Sequence, residues 1–152
     1  MSEDLYQEII LDHYKNPRGK NVSIDAIAQS YQVNPTCGDE VTVEVGLNTD
    51  GTLVVSYDGQ GCSISQASAS VMSELINGKT PDEAAPIQEA FMELMKSKGQ
   101  LEPDEDLLED AIAFAGVSKY PARIKCALIS WMALSDAQIK AELTSTTTTR
   151  NG

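Results

Sequence analysis

Three cysteines are the residues of this chain best suited to chemistry, and two of them lie in loops that contain glycine. Cys37 precedes Gly38, and Cys62 follows Gly61. A cysteine without a disulfide partner is commonly a small buried hydrophobic residue, and that interpretation stays open for both. Glycine-flanked positions at the ends of strands or helices instead let the backbone approach a ligand closely. The setting of these two thiols therefore favours a functional role.

A predicted β-hairpin brings the same two thiols to one end of a sheet. Apolar residues alternate with other residues over 41–47, the sequence Asn-Thr-Asp-Gly over 48–51 predicts a turn, and the alternation resumes over 53–57. The start of the first strand of a hairpin lies beside the end of the second. Because Cys37 precedes the first strand and Cys62 follows the second, we expect both at the same end.

Cys126 and Asp39 complete a set of four candidate metal ligands. Cys126 lies in the first turns of the last predicted helix, and the three thiols converge if this helix packs on that end of the sheet. Asp39 could add an oxygen ligand or could bond its own backbone as a turn residue, and the residue pattern favours neither. Three sulfurs and one oxygen suit tetrahedral zinc. No Cys-x-x-Cys pair is present, so spacing alone is a weak indicator of a metal site.

Charged residues near these positions allow two interpretations. Arg123 and Lys125 flank Cys126 and form either a solvated helix face or cations that offset the negative charge of a zinc–thiolate centre. His13 is the single histidine and lies near the end of the first predicted helix. A cation suits the C-terminal end of a helix, so we expect His13 to be hydrogen-bonded or exposed rather than a ligand.

The order of predicted elements indicates an α+β fold. Strands come first and most helices follow, which predicts a small antiparallel sheet with helices packed on one face. The stretch 21–33 is ambiguous between a short helix and an edge strand. Thr80 and Glu83 form a predicted capping box, although Pro86 could divide the helix that they open. Helical spacing is found near 5–14, 64–75, 81–95, 104–115 and 124–132, where Trp131 is expected in the core.

Composition limits the classes of function. The 152 residues predict one domain over 1–143 and a disordered, threonine-rich tail over 144–152. Asp and Glu number 23 against 11 Lys and Arg, a net charge of −12, which argues against a nucleic-acid partner. No apolar run is long enough for a membrane span, and no targeting segment is recognisable. The odd cysteine count favours a reducing compartment, so a cytoplasmic protein is expected.

Four motifs, read in order, resemble those of one known family. They are Asp-His-Tyr-Lys-Asn-Pro-Arg at 12–18, Asn-Pro-Thr-Cys-Gly-Asp at 34–39, Gly-Gln-Gly-Cys-Ser-Ile-Ser-Gln-Ala-Ser-Ala-Ser at 59–70, and Tyr-Pro-Ala-Arg-Ile-Lys-Cys-Ala at 120–127. Together they are similar to the SufU/IscU (NifU N-terminal) family of iron–sulfur cluster assembly proteins, from about Leu5 to Leu134.

Two further features resemble the SufU branch of that family. Lys125 stands before the third cysteine, where the IscU branch has histidine, and the segment 77–100 resembles the SufU insertion. The resemblance implies three antiparallel strands with helices packed on one side. It also implies a zinc site formed by the set Cys37, Asp39, Cys62 and Cys126.

The resemblance further implies a role in sulfur transfer. Proteins of the SufU branch accept sulfane sulfur from the persulfide of a pyridoxal-phosphate cysteine desulfurase of the SufS type, and downstream iron–sulfur assembly proteins are further expected partners. By this analogy Cys37 is the sulfur acceptor and Arg123 a docking residue. The chain is then a sulfurtransferase-type partner of a desulfurase more than a stand-alone enzyme.

Two alternatives remain at this point. The same four residues could assemble a [2Fe–2S] cluster as a scaffold, or they could form a purely structural zinc or thiol module. Lys125 in place of histidine and the insertion favour sulfur transfer over the scaffold.

Overall fold

A computed structural model of the chain describes residues 3–36 and 38–144. Within them, three β-strands, five α-helices and one 3₁₀ helix follow one another along the chain. A disordered tail was predicted over 144–152, and residues 145–152 of this tail lie outside the described residues. The elements are α1 (Glu3–Lys15), β1 (Ala28–Asn34), β2 (Asp39–Leu47), β3 (Leu53–Gln60), α2 (Ser63–Ile76), α3 (Pro81–Lys96), α4 (Glu105–Leu108), the 3₁₀ helix (Glu109–Lys119) and α5 (Pro121–Ala141).

The described residues form an antiparallel sheet in the order β1-β2-β3. Asn34 pairs with Asp39, and Glu40 pairs with Gln60. The first residues of β2 therefore lie beside the last residues of both neighbouring strands. The α+β fold and the hairpin are confirmed, and the ambiguous stretch 21–33 ends in an edge strand.

Alternation of side chains explains why helices pack on one face of the sheet. Val41, Val43 and Val45 of β2 are buried, whereas the residues between them are partly exposed. Helices α2 and α5 cover the buried face. Trp131 of α5 is in the core as expected, and it stacks on Phe91 of α3 with ring centroids 4.3 Å apart.

The helical half differs from the sequence prediction in two places. Pro86 does not divide α3, which continues through it from Pro81 to Lys96, with Pro86 on the exposed side and Ile87 and Phe91 buried in the core. The regular helix expected over 104–115 is wrong. Glu109 has a φ of 47°, which ends α4 after one turn, and the chain continues as the tighter 3₁₀ helix.

The length and hydropathy of a helix determine whether it can cross a membrane. None of the helices among the described residues combines the length and the apolar character needed to cross a bilayer.

Candidate metal centre

Three predicted ligands meet at one end of the sheet. Asp39 is the first residue of β2, Cys62 directly precedes α2, and Cys126 lies in the second turn of α5. One ligand atom from each of the three lies within 4.8 Å of the others. The packing of α5 on the sheet thus brings Cys126 to the end where Cys62 was expected. Cys37, the fourth predicted ligand, lies outside the described residues.

Hydrogen bonding orients the carboxylate of Asp39. The backbone N–H of Cys62 donates to Oδ1 of Asp39 at 2.9 Å, and Oδ2 lies 3.9 Å from Sγ of Cys62. Tetrahedral zinc with one sulfur and one oxygen ligand places these two atoms about 3.6 Å apart. The separation in the structure is close to that value. A fully buried carboxylate also needs such partners, because burial without them is costly.

Gly61 allows this close approach of Asp39 to the start of α2. A Cβ atom at Gly61 would collide with Oδ1 of Asp39 and would lie 2.6 Å from Oγ of Ser65. Ser65 in turn donates from Oγ to the carbonyl oxygen of Cys62 at 3.0 Å. Gly61 precedes Cys62 in the sequence. The contact with Asp39 that requires this glycine forms only in the folded chain, so the sequence could not predict it.

The two described thiols differ in their access to solvent. Cys126 is 6% exposed, and its Sγ lies 3.7 Å from the carbonyl oxygen of Ala122. Cys62 is exposed and occupies the N-cap position of α2, where the positive end of the helix dipole favours negative charge. The site is therefore anchored by a buried sulfur and open on the side of Cys62.

A small cleft lies next to this open side. It has a volume of about 190 Å³ and is lined in part by Gln60, Gly61 and Gln66. Nζ of Lys20 donates to Oε1 of Gln66 at 3.1 Å, which places a cation on the wall of the cleft.

Arg123 and Lys125 are exposed on the first turns of α5. The guanidinium carbon of Arg123 lies 5.8 Å from the ring centroid of Tyr120, which is 58% exposed. This exposure fits a solvated helix face and also fits a contact surface for a partner, so their predicted roles remain predictions.

A second group of possible metal ligands was not found from the sequence. Its members are His13, Glu74 and Asp110, which come from three separate helices. His13 is fully buried and hydrogen-bonded as expected, but its place beside two carboxylates is also compatible with a role as a ligand, which the sequence disfavoured. Because Asp110 stands 97 positions after His13, spacing along the chain carries no sign of their contact.

The sequence of the chain is similar to those of several known proteins. Residues 5–127 match the sequence profile of the family described as "NifU-like N terminal domain". A "Zinc-dependent sulfurtransferase SufU" of Bacillus subtilis is 44% identical over 141 residues, which cover 92% of this chain and 93% of the relative. An "Iron-sulfur cluster assembly scaffold protein IscU" of Streptococcus pyogenes is 36% identical and covers 88% of this chain and 82% of the relative.

A solved structure gives the same result for the fold. The crystal structure of a candidate iron–sulfur cluster assembly scaffold protein for the SUF system from Fervidobacterium islandicum superposes with a TM-score of 0.74 at 37% identity. The superposition covers 90% of this chain and 98% of that one. The resemblance inferred from the four motifs is confirmed, and the chain belongs to the family of proteins with a NifU-like N-terminal domain.

Proposed function

We propose that this protein is a zinc-dependent sulfurtransferase that accepts persulfide sulfur from a cysteine desulfurase for iron–sulfur cluster assembly. The observation that carries the proposal is the convergence of Asp39, Cys62 and Cys126 within 4.8 Å. Two sulfurs and one oxygen on three separate elements leave one position for a fourth ligand. The name of the Bacillus subtilis relative supports zinc and sulfur transfer.

Cys37 is the proposed fourth ligand. It lies two residues before Asp39 in the sequence. Two residues of chain span at most about 7 Å, so residues this close in the sequence are able to bind the same ion. The set of three thiolates and one carboxylate fits zinc in charge and in ligand type. Zinc, when bound, keeps the coordinating thiols deprotonated.

Cys37 is also the proposed sulfur acceptor. Its thiolate attacks the outer, sulfane sulfur of the persulfide on the desulfurase. A new S–S bond forms on Cys37, the S–S bond of the desulfurase persulfide breaks, and the thiolate of the desulfurase cysteine leaves with the electron pair. If zinc were bound, Cys37 would have to be released from it before reacting, since a metal-bound thiolate is a poor nucleophile. Asp39 and Cys126, both buried, are suited to hold the rest of the site meanwhile.

The exposed cations beside the site are the proposed partner contacts. Arg123 would dock against the desulfurase, which we expect to be of the SufS type, and Lys125 would offset negative charge at the centre. The chain as a whole is strongly acidic, with a net charge of −12. Downstream assembly proteins are proposed to take the sulfur from Cys37, and the odd cysteine count supports a reducing, cytoplasmic setting.

Desulfurase turnover tests the proposal. The zinc-loaded protein is added to a SufS-type desulfurase with cysteine and a thiol reductant, and alanine formation is measured. We expect acceleration by the wild type and none by Cys37→Ala. Thr36→Ala, which changes the exposed neighbouring residue, is the matched control and should accelerate turnover like the wild type. An active Cys37→Ala variant would show that the acceptor is a different group.

The scaffold function is the second candidate, favoured by the name of the Streptococcus pyogenes relative. It predicts a stable brown protein with iron and acid-labile sulfide after reconstitution. The sulfurtransferase function predicts a colourless zinc protein instead. A purely structural zinc module predicts no change in desulfurase turnover when the protein is added.

A further inference from the structure

A second cluster of metal-binding atoms lies at the C-terminal end of α1. It consists of His13 in α1, Glu74 in α2 and Asp110 in the 3₁₀ helix, here called the His13 cluster. His13 is fully buried, whereas the side chains of Glu74 and Asp110 are 47% and 43% exposed. We propose that the His13 cluster is a second metal site, which binds one divalent ion of the first transition row, such as Mn²⁺, Fe²⁺ or Zn²⁺.

Distances within the cluster suit a metal ion. Nε2 of His13 lies 2.8 Å from Oδ2 of Asp110 and 3.8 Å from Oε1 of Glu74. Ligand atoms bound to one such ion at about 2.1 Å lie roughly 3.0–3.5 Å apart. The two separations fall on either side of this range. Because both carboxylates are half-exposed, small rotations of their side chains can equalise the distances, and water can supply further ligands.

The ring of His13 is already held as metal-bound histidines usually are. Its Nδ1 lies 2.7 Å from Oγ of Ser70, and that oxygen also accepts from the backbone N–H of Arg18 at 2.9 Å. A hydrogen bond to the second ring nitrogen fixes the orientation of a ligating imidazole. Ser70 therefore leaves Nε2 directed at the two carboxylates.

Arg18 orients the carboxylate of Glu74, as Ser70 orients the ring of His13. Its Nε lies 3.3 Å from Oε2 of Glu74, and the other oxygen, Oε1, faces His13. The hydrogen bond between Nε2 of His13 and Oδ2 of Asp110 explains why the carboxylate of Asp110 lies close to the ring. The carboxylate of Glu74 pairs with Arg18 through Oε2, and its Oε1 lies 3.8 Å from the same ring nitrogen. An ion bound by His13, Glu74 and Asp110 would engage both carboxylates.

Charge around the cluster favours a cation. Asp12, Glu74 and Asp110 bring three carboxylates together, and Arg18 brings one guanidinium. Arg18 is bound to Asp12 at 2.8 Å and holds the pKa of that carboxyl below its ordinary value. The group is therefore left with net negative charge when His13 is neutral. One imidazole and two carboxylates suit manganese, iron or zinc, whereas the thiolate site selects zinc.

Manganese titration of the protein loaded with one equivalent of zinc per chain, which fills the thiolate site and leaves the His13 cluster open, tests this site. Zinc is supplied first so that the thiolates do not compete for Mn²⁺. Free Mn²⁺ is then measured by electron paramagnetic resonance. We expect one Mn²⁺ to bind per chain. Asp110→Asn keeps an oxygen that can accept from His13 but removes the charge, and it should weaken Mn²⁺ binding more than about tenfold, as should Glu74→Gln. Asp106→Asn removes an exposed charge four residues before Asp110 and should bind like the wild type.

Two results would overturn the proposal. One is the absence of saturable Mn²⁺ binding by the zinc-loaded wild type. The other is equal binding by the wild type and by both Asp110→Asn and Glu74→Gln, with circular dichroism showing that the variants are folded. The titration does not use the desulfurase, so failure here leaves the proposed sulfur transfer untouched.

Discussion

At the scale of single residues, the carboxylate of Asp39 is positioned by Cys62 and by the glycine before it. The backbone N–H of Cys62 binds Oδ1, and the absence of a side chain at Gly61 gives the carboxylate its space. Outer contacts of this kind determine how well a ligand meets its metal. The geometry of the proposed zinc site therefore depends on a residue that cannot itself be a ligand.

Gly61→Ala should weaken zinc binding more than about tenfold, because the added methyl group displaces Asp39. Competition with a chelator of known affinity measures this change. Gly51→Ala is the control, since Gly51 also has an unusual backbone, with a φ of 87°, but has open space around it. That control should lose some stability and keep its zinc affinity. Equal zinc affinity in Gly61→Ala and the wild type would show that Asp39 does not need this space.

Residue types pointed to candidate ligands but gave little information about their surroundings. Cys62 and Cys126 were recognisable because thiols are few, and Asp39 because it stood next to a motif cysteine. Asp110 belongs to an acidic stretch that reads as a solvated face. Its contact with His13 arises only when the 3₁₀ helix packs against α1, so local sequence could not indicate it.

At the scale of elements, the contact between α2 and α5 sets the position of Cys126. Ser68 of α2 donates from Oγ to the carbonyl oxygen of Ala127 at 2.6 Å and accepts from Nε1 of Trp131 at 3.0 Å. All three groups are buried. The two helices that carry Cys62 and Cys126 are thus joined by a buried polar link as well as by apolar packing.

Ser68→Ala should destabilise the protein by about 1–3 kcal/mol, because it leaves the buried Nε1 of Trp131 without its acceptor. Urea denaturation measures the loss. Tyr57→Phe is the matched control for removing a buried hydroxyl. Tyr57 Oη forms no hydrogen bond of good geometry among the described residues, and burial raises the pKa of Tyr57 to about 12 against a weaker, opposing effect of Ser70. This variant should stay within about 1 kcal/mol of the wild type. A Ser68→Ala protein as stable as Tyr57→Phe would contradict the link.

Elements were predictable where one local signal dominates. The alternation over 41–47 and the turn at 48–51 specified the hairpin, and the capping box at Thr80 correctly marked the start of α3. The segment after Asp104 was not predictable in the same way. Its apolar residues suit a helix, but the positive φ of Glu109 ends α4, and the buried residues that follow, such as Phe114, lie on 3₁₀ turns.

At the scale of the whole molecule, the proposed zinc site joins the sheet to both central helices. Its described ligands lie on β2, at the start of α2 and on α5. A metal that binds only the folded arrangement adds its binding free energy to the free energy of unfolding. The site is therefore expected to stabilise the fold as well as to carry sulfur.

Removing zinc should lower the melting temperature by roughly 10 °C. This corresponds to the loss of about 4 kcal/mol of metal-binding free energy for a chain of this size. Calorimetry before and after chelation, followed by return of zinc, measures the effect. The melting temperature should recover on return of zinc. An unchanged melting temperature after complete zinc removal would show that the site does not contribute to folding.

X-ray absorption at the zinc edge of the purified protein tests the central claim most directly, because it reports the number and type of ligands. The account predicts three sulfur neighbours at about 2.3 Å and one oxygen neighbour at about 2.0–2.2 Å. Cys37→Ala should lose one of the three sulfurs and keep the oxygen. Zinc surrounded by oxygen and nitrogen alone, or iron with bridging sulfide in its place, would contradict the proposed site.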